Sequence, residues 1–158
     1  MAVEKAVVLG LFSIRKLIDS NKISIETSDM RLRATAYPSN GKRVTVWNNH
    51  RLEELFDFKR GAQERLPLRF VCNQAIHSHI LAVYLSSSGG RLVGLYVASD
   101  QHRKKALLAV PLVELERAFR RAGNDYPSFI HSVFDEARGD YIVTSHTRRP
   151  SGLVLGSK

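Results

Sequence analysis

The sequence predicts a single α+β domain over residues 1–146, in which about four helices pack on a mainly antiparallel sheet of short strands, followed by a flexible tail over 147–158. Helical spacing of apolar residues is confined to a few segments. The other apolar segments are short, contain β-branched residues and follow one another through turn-forming residues, which favours antiparallel pairing. The chain has 158 residues, 44% of them apolar, so it can bury a core without a disulfide or a structural metal.

The N-terminal third predicts a helix followed by a hairpin. Residues 3–21 repeat apolar side chains at three- and four-residue steps, and Asn21 is suited to ending that helix. Residues 31–37 alternate apolar and polar side chains, as in a half-buried strand. Because Asn40-Gly41 is a strong hairpin signal, we expect the β-branched segment 43–47 to form the returning strand.

The central part of the chain predicts two helices. An asparagine at 48 or 49 is expected to cap a short helix over 50–58, and residues 59–65 are expected to form an exposed loop. Pro67 suits the first turn of a second helix, which runs to about residue 77.

The C-terminal half predicts two hairpins with a strand and a helix between them. Strands over 80–85 and 92–98 are joined by a Ser- and Gly-rich turn, and a third strand covers 106–110. A helix follows from Pro111 to Gly123. The last hairpin pairs 129–134 with 141–145.

Net charge is the strongest global signal in the sequence. Lysine and arginine number 24 against 15 aspartates and glutamates, which leaves a formal charge of +9. Basic domains often bind nucleic acid or other polyanions. The excess is spread over both halves of the chain without a basic tail, so an ordinary solvated surface is the alternative.

Three observations bear on location. Glu4 and Lys5 precede only about eight apolar residues, too few and too charged for a secretion signal. No segment approaches the roughly 18 apolar residues of a membrane span, so no membrane partner is expected. The single cysteine, Cys72, cannot form an intramolecular disulfide, which favours a reducing, cytoplasmic setting.

The segment LRFVCNQAIHSH, residues 68–79, is the one most suggestive of chemistry. As a helix it places Arg69, Asn73 and His77 at four-residue intervals on one face. Arginine would hold a phosphate, asparagine would orient a ligand and histidine would transfer a proton near neutral pH. The same stripe is also what the solvated face of an amphipathic helix looks like.

The run Asn73-Gln74-Ala75-Ile76-His77 resembles the signature helix of HEPN-domain proteins, many of which are metal-independent ribonucleases or nucleic-acid-binding partners in defence and toxin–antitoxin systems. Asn73 and His77 match the polar residue and the histidine of that motif, and Cys72 stands where the family has an arginine. The resemblance covers about ten residues of the 158. It implies a helical bundle, whereas the pattern after residue 78 predicts strands.

A second candidate set is the basic corner His102, Arg103, Lys104 and Lys105, which would either grip phosphates or form a solvated turn. Aromatic side chains for stacking on bases are not obvious. Trp47, Tyr84 and Tyr96 fall in predicted strands, where we expect them to belong to the core.

Other chemistries have little support in the sequence. His77, His79, His102 and His131 lack the paired spacing of a zinc site, and Cys72 lies on the apolar side of its helix. There is no Gly-rich phosphate loop, HExxH helix or GxSxG elbow. No cofactor or metal is therefore expected.

Three functions remain as hypotheses. The first is a non-enzymatic accessory module that binds nucleic acid through Arg69, Asn73, His77 and residues 102–105. The second is a metal-independent ribonuclease, with His77 as general acid or base and Arg69 stabilising the phosphate. The third is a protein-interaction or homodimerisation domain that pairs through strand edges at 31–47 or 129–145.

Overall fold

The computed structural model describes residues 2–88 and 90–149. The helices are α1 (Ala2–Asp19), α2 (Ile25–Ser28), α3 (Leu52–Leu55), α4 (Leu68–Ile76) and α5 (Leu112–Gly123). The strands are β1 (Arg31–Pro38), β2 (Ala62–Pro67), β3 (Ser78–Leu85), β4 (Leu92–Ser99), β5 (Ala106–Pro111), β6 (Phe129–Asp135) and β7 (Asp140–His146). Five of them form an antiparallel sheet in the order β2-β1-β5-β4-β3, and β6 and β7 pair separately. The predicted single α+β domain is confirmed.

The three longer helices pack on one face of the sheet. The strand alternation predicted over 31–37 is confirmed, since Leu32, Ala34 and Ala36 all point into this core. The helices predicted over 3–21, 67–77 and 111–123 are present with small shifts at their ends. As expected, Asn21 follows α1 in the left-handed region, with φ 52°.

Residues 39–61, between β1 and β2, cover part of the other face. Val44, Leu55 and Phe56 are buried there against residues of β3, β4 and β5. Phe58 adds ring contacts to Tyr37 at 4.5 Å and to Tyr96 at 5.7 Å between centroids. This segment forms a second, smaller core and is held close to the sheet.

The hairpin predicted from Asn40-Gly41 is wrong. Gly41 does adopt a positive φ of 78°, but residues 43–47 form no strand, and β1 pairs with β2 and β5 instead. The partner β2 covers most of the predicted loop 59–65. The sequence does not predict β2 as a strand, because only Leu66 of this edge strand is buried and the apolar alternation of a strand is missing.

The helix predicted over 50–58 is also shorter than expected. Only the single turn α3 is α-helical, and Arg51 rather than an asparagine precedes it, with no side-chain cap. The asparagines stabilise the turn before it. The predicted helix is interrupted because Phe56 turns into extended backbone to enter the second core.

The residues of β1 before Thr35 have no strand partner on the side of β5, and α5 covers this edge. Pairing with β5 ends at Thr35 and Ala109, because Pro111 lacks an N–H and α5 begins directly after it. The Glu114 carboxylate accepts from Arg33 N at 3.2 Å, and Arg117 donates to Arg31 O at 2.7 Å. Burial acts to raise the pKa of Glu114, but hydrogen bonds from Arg117 and Arg33 outweigh it and lower that pKa below its ordinary value.

The hairpin of β6 and β7 lies beside α2, outside the five-stranded sheet. It confirms the strands predicted over 129–134 and 141–145. Ser145 Oγ joins it to the end of α1 by donating to Asn21 O at 2.7 Å. Six large apolar side chains remain exposed on it: Phe129, Ile130, Val133, Phe134, Tyr141 and Ile142. The predicted tail over 147–158 lies outside the described residues from position 150 onward.

Within the described part of the chain, no helix has both the length and the apolar character that crossing a membrane requires.

Gly94 should be intolerant of any side chain. A Cβ there would lie 2.4 Å from Val110 O and 2.6 Å from the ring of Tyr84, its cross-strand partner. We expect Gly94→Ala to lower the free energy of unfolding by about 2–3 kcal/mol, because backbone and ring must both shift. Urea denaturation measures this. Gly123→Ala is the control, since nothing lies within 4 Å of a Cβ there, and equal stability of the two variants would contradict the packing argument.

Candidate functional site

The two predicted sets of site residues meet at one end of the sheet. Asp100, in the turn after β4, donates its backbone N–H to His77 O at 3.2 Å, and its carboxylate binds Arg103 at 2.7 Å. The turn at residues 100–105 therefore separates the helix-face set on one side from residues 39–50 on the other.

The helix-face set is largely occupied by contacts with α1. Arg69 binds Asp19 at 2.8 Å, and Arg15 binds the same carboxylate. Arg15 Nε also donates to Asn73 Oδ1 at 2.9 Å. Burial acts to raise the pKa of Asp19, but Arg15 and Arg69 outweigh it and lower that pKa. Of the three predicted residues, His77 alone is exposed without such a contact.

His77 borders a groove of about 590 Å³ between α1, α4 and the end of β4. Arg15 lines it and was missed by the sequence analysis, although it lies outside the buried stripe of α1. The groove offers one imidazole and one guanidinium, and its carboxylate, Asp100, is engaged by Arg103. This arrangement can hold a polar group, but it presents one acid–base residue rather than a pair.

Cys72 cannot supply what the HEPN motif has at its position. The thiol is fully buried, and burial raises its pKa to about 12. The side chain packs as a small hydrophobe among Leu68, Val71 and Ala75, in agreement with its predicted apolar face.

Within the basic corner, Arg103 is a structural residue. Its guanidinium donates to Val44 O at 2.8 Å and to Asp100 O at 3.1 Å, and it contacts His79 Nε2 at 2.6 Å. These bonds tie residues 43–45 to β3 and to the turn, because a planar guanidinium can serve several acceptors at once. Arg103 was predicted to bind ligand, and these contacts engage its guanidinium within the domain.

The other corner residues divide in two. His102 is half-buried against Phe70 at 5.5 Å between ring centroids, and burial together with nearby Lys105 lowers its pKa. Lys104 and Lys105 are exposed, and neither has an ion pair among the described residues.

Trp47 corrects the expectation that it belongs to the core. Its side chain is 89% exposed, at the tip of a turn over residues 45–49. Asn48 Oδ1 accepts from Thr45 N at 2.7 Å, and Asn49 Nδ2 donates to His79 O at 3.3 Å. Hydrogen bonds therefore fix this turn, and the indole projects from it into solvent. The turn-forming asparagines after it were the available signal in the sequence.

A basic groove of about 480 Å³ adjoins this turn. Lys42, Arg43 and Lys104 line it together with Ser39, Gly41, Val44 and Arg103, and no carboxylate is among its lining residues. Lys105 is adjacent, since its carbonyl accepts from Ser39 N at 2.8 Å. We call Lys42, Arg43, Trp47, Lys104 and Lys105 the loop surface.

No protein-family model, curated protein or solved structure matches the chain. Within residues 2–88 and 90–149, no group of three or more His, Cys, Asp or Glu side chains is arranged to hold a metal ion.

Arg103 should be irreplaceable by lysine. An ammonium cannot reach Val44 O, Asp100 and His79 together, so we expect Arg103→Lys to cost about 1–2 kcal/mol of stability. Amide hydrogen exchange over residues 43–50 should accelerate more than exchange in α5. Lys104→Arg, at an exposed neighbour, serves as the control; unchanged exchange in Arg103→Lys would show that the turn is held by other contacts.

Proposed function

We propose that this protein binds single-stranded nucleic acid through the loop surface. The observation that carries the proposal is an indole, 89% exposed on a fastened turn, beside a groove lined by cations and free of carboxylates. Aromatic side chains that stack on bases and cations that follow the phosphates are the two components of sequence-tolerant single-strand binding.

Burial energetics support a role for the exposed indole. Leaving a large aromatic side chain in water forgoes on the order of 2–3 kcal/mol. Thr45, Asn48 and Asn49 nevertheless hold the turn in this form. A flexible loop would lose affinity by having to order itself on binding, whereas a fastened turn presents the ring in advance.

Electrostatics favour a polyanion at the same place. Lys42, Arg43, Lys104 and Lys105 are exposed and without ion pairs among the described residues. Four phosphate contacts on a single strand correspond to a slope of about −3 in log K against log salt concentration. A free single strand is favoured over a duplex because its unstacked bases are accessible to Trp47.

Trp47 is the only tryptophan, so its fluorescence reports directly on the proposed contact. Titration with single-stranded RNA should quench the emission, and a duplex should do so more weakly. We expect Trp47→Ala to weaken binding about 5- to 150-fold, measured by fluorescence polarisation of labelled RNA, because stacking contributes about 1–3 kcal/mol per base.

Trp47→Phe and Val46→Ala are the matched variants. The first keeps a ring and should retain much of the affinity, whereas the second removes a neighbouring exposed apolar side chain, 70% exposed, and should change little. Equal affinity of wild type and Trp47→Ala would refute the stacking role. RNA cleavage in the presence of a chelator, lost in His77→Ala, would instead assign the ribonuclease function.

Self-association through the β6–β7 hairpin is a second candidate function. Its exposed apolar side chains lie on both faces of the hairpin: Ile130, Phe134 and Tyr141 share one face, and Phe129, Val133 and Ile142 share the other. Both outer edges of the hairpin are unpaired within the described structure, and an isolated two-stranded hairpin is only marginally stable in water. A second copy of the chain, related by a two-fold axis, would pair with one of these edges and extend the sheet.

Light scattering tests this second candidate. Wild type should have twice the 17.8 kDa chain mass at micromolar concentration. Ile130→Lys should shift the protein to monomer, since a charge on an edge strand blocks pairing. Val113→Lys, at an equally apolar and 61% exposed site on α5, should leave the dimer intact; a monomeric wild type would exclude the hairpin as a dimer interface.

A further inference from the structure

We infer that Arg31, Arg33, Arg65 and Arg117 form a binding site for a phosphomonoester, at the opposite end of β1 from the loop surface. These four arginines and Glu114 line a cavity of about 280 Å³ at the rim of the sheet, where β1, β2 and α5 meet.

Strand register brings three of the guanidinium groups together. Arg31 and Arg33 are two residues apart on β1 and share a face, and Arg65 of β2 lies directly opposite Arg33. Arg31 Nη1 donates to Arg65 O at 3.1 Å. Arg117 approaches from α5, where its Nη2 donates to Arg31 O at 2.7 Å.

The charges in this cavity do not balance. Glu114 is the only carboxylate among its lining residues, and it is bound by Arg33 at 2.8 Å and Arg117 at 2.6 Å. One negative charge therefore faces four positive ones. Arg65 has no side-chain hydrogen bond or ion pair within the described residues. Like charges placed directly opposite on paired strands repel each other, so this arrangement is unfavourable without an anion.

A phosphomonoester matches the excess of charge and the donors. It carries nearly two negative charges and three acceptor oxygens at neutral pH. The side chain of Arg33 is 67% exposed and that of Arg117 is 50% exposed, although Glu114 beneath them is only 2% exposed. Guanidinium groups with free nitrogens around a small concavity recognise phosphate by paired hydrogen bonds. A carboxylate and an internal phosphodiester each carry only one negative charge, so neither matches the excess of positive charge as well.

This site is separate from the loop surface. From Arg33 to Ser39 the strand advances about 20 Å, too far for one phosphate to contact both. The phosphomonoester comes either from a free small molecule or from the terminal phosphate of an oligonucleotide, and the experiment distinguishes the two.

The first measurement is the thermal unfolding midpoint in inorganic phosphate, compared with sodium chloride at equal ionic strength. We expect phosphate to raise the Tm of wild type by several degrees and in a saturable manner. Arg65→Gln should abolish the shift while leaving both partners of Glu114 in place. Without phosphate, Arg65→Gln should raise the Tm by about 1–2 °C, because the cross-strand repulsion is relieved.

Arg91→Gln is the matched control. Arg91 is exposed in the turn between β3 and β4, at the far edge of the sheet, and this variant should retain the phosphate shift. Trp47→Ala should retain it as well, so that failure of the loop surface and failure of this site are separable. An equal Tm shift in sodium chloride, or a full phosphate shift in Arg65→Gln, would overturn the inference.

Oligonucleotides with a 5′-phosphate or a 5′-hydroxyl then identify the source. A several-fold preference for the phosphorylated strand, lost in Arg65→Gln, assigns the site to a strand terminus. No preference, together with a phosphate shift that depends on Arg65, assigns it to a free phosphomonoester.

Discussion

β1 is hydrogen-bonded on both sides, to β2 and to β5, and this double pairing determines the rest of the architecture. Because β1 does not turn back on itself, residues 39–61 are excluded from the sheet and fold over its second face. Val44, Leu55 and Phe56 anchor that segment in a small core, and the turn between the anchors extends over the end of the sheet. Because β1 pairs with β2 and β5, the turn that carries Trp47 lies outside the sheet, and the indole is exposed.

The cations of this basic chain are of two kinds: some make contacts inside the domain, and others are exposed without such contacts. Arg103, Arg15 and Arg117 donate to backbone or side-chain oxygens inside the domain and thereby join elements that are distant in sequence. Lys104 and Arg65 make no such contact among the described residues. Net charge counts both kinds equally, although donors already engaged inside the domain are not free for a ligand.

The helix face of α4 illustrates the same distinction. The predicted row of Arg69, Asn73 and His77 exists as a geometric feature, yet Asp19 and Arg15 from α1 engage the first two. Helical periodicity places side chains on a common face, but it contains no information about which neighbouring helix meets that face. His77 stays exposed and lines the groove between α1 and α4. The loop surface lies on the other side of the turn at residues 100–105.

The sequence by itself determined the three long helices through their apolar periodicity and β1 through its alternation. It also determined β3 to β5 and the last hairpin, as short apolar or β-branched segments between turn residues. It also determined the ends marked by Asn21 and Gly123 and the burial of Cys72, because local periodicity and capping carry that information. Only the tertiary structure decided the strand identity of β2, whose pairing is made by backbone atoms and leaves almost no apolar pattern. It likewise decided the position of Trp47 and the meeting of Arg33 with Arg65, since both depend on contacts between segments far apart in the chain.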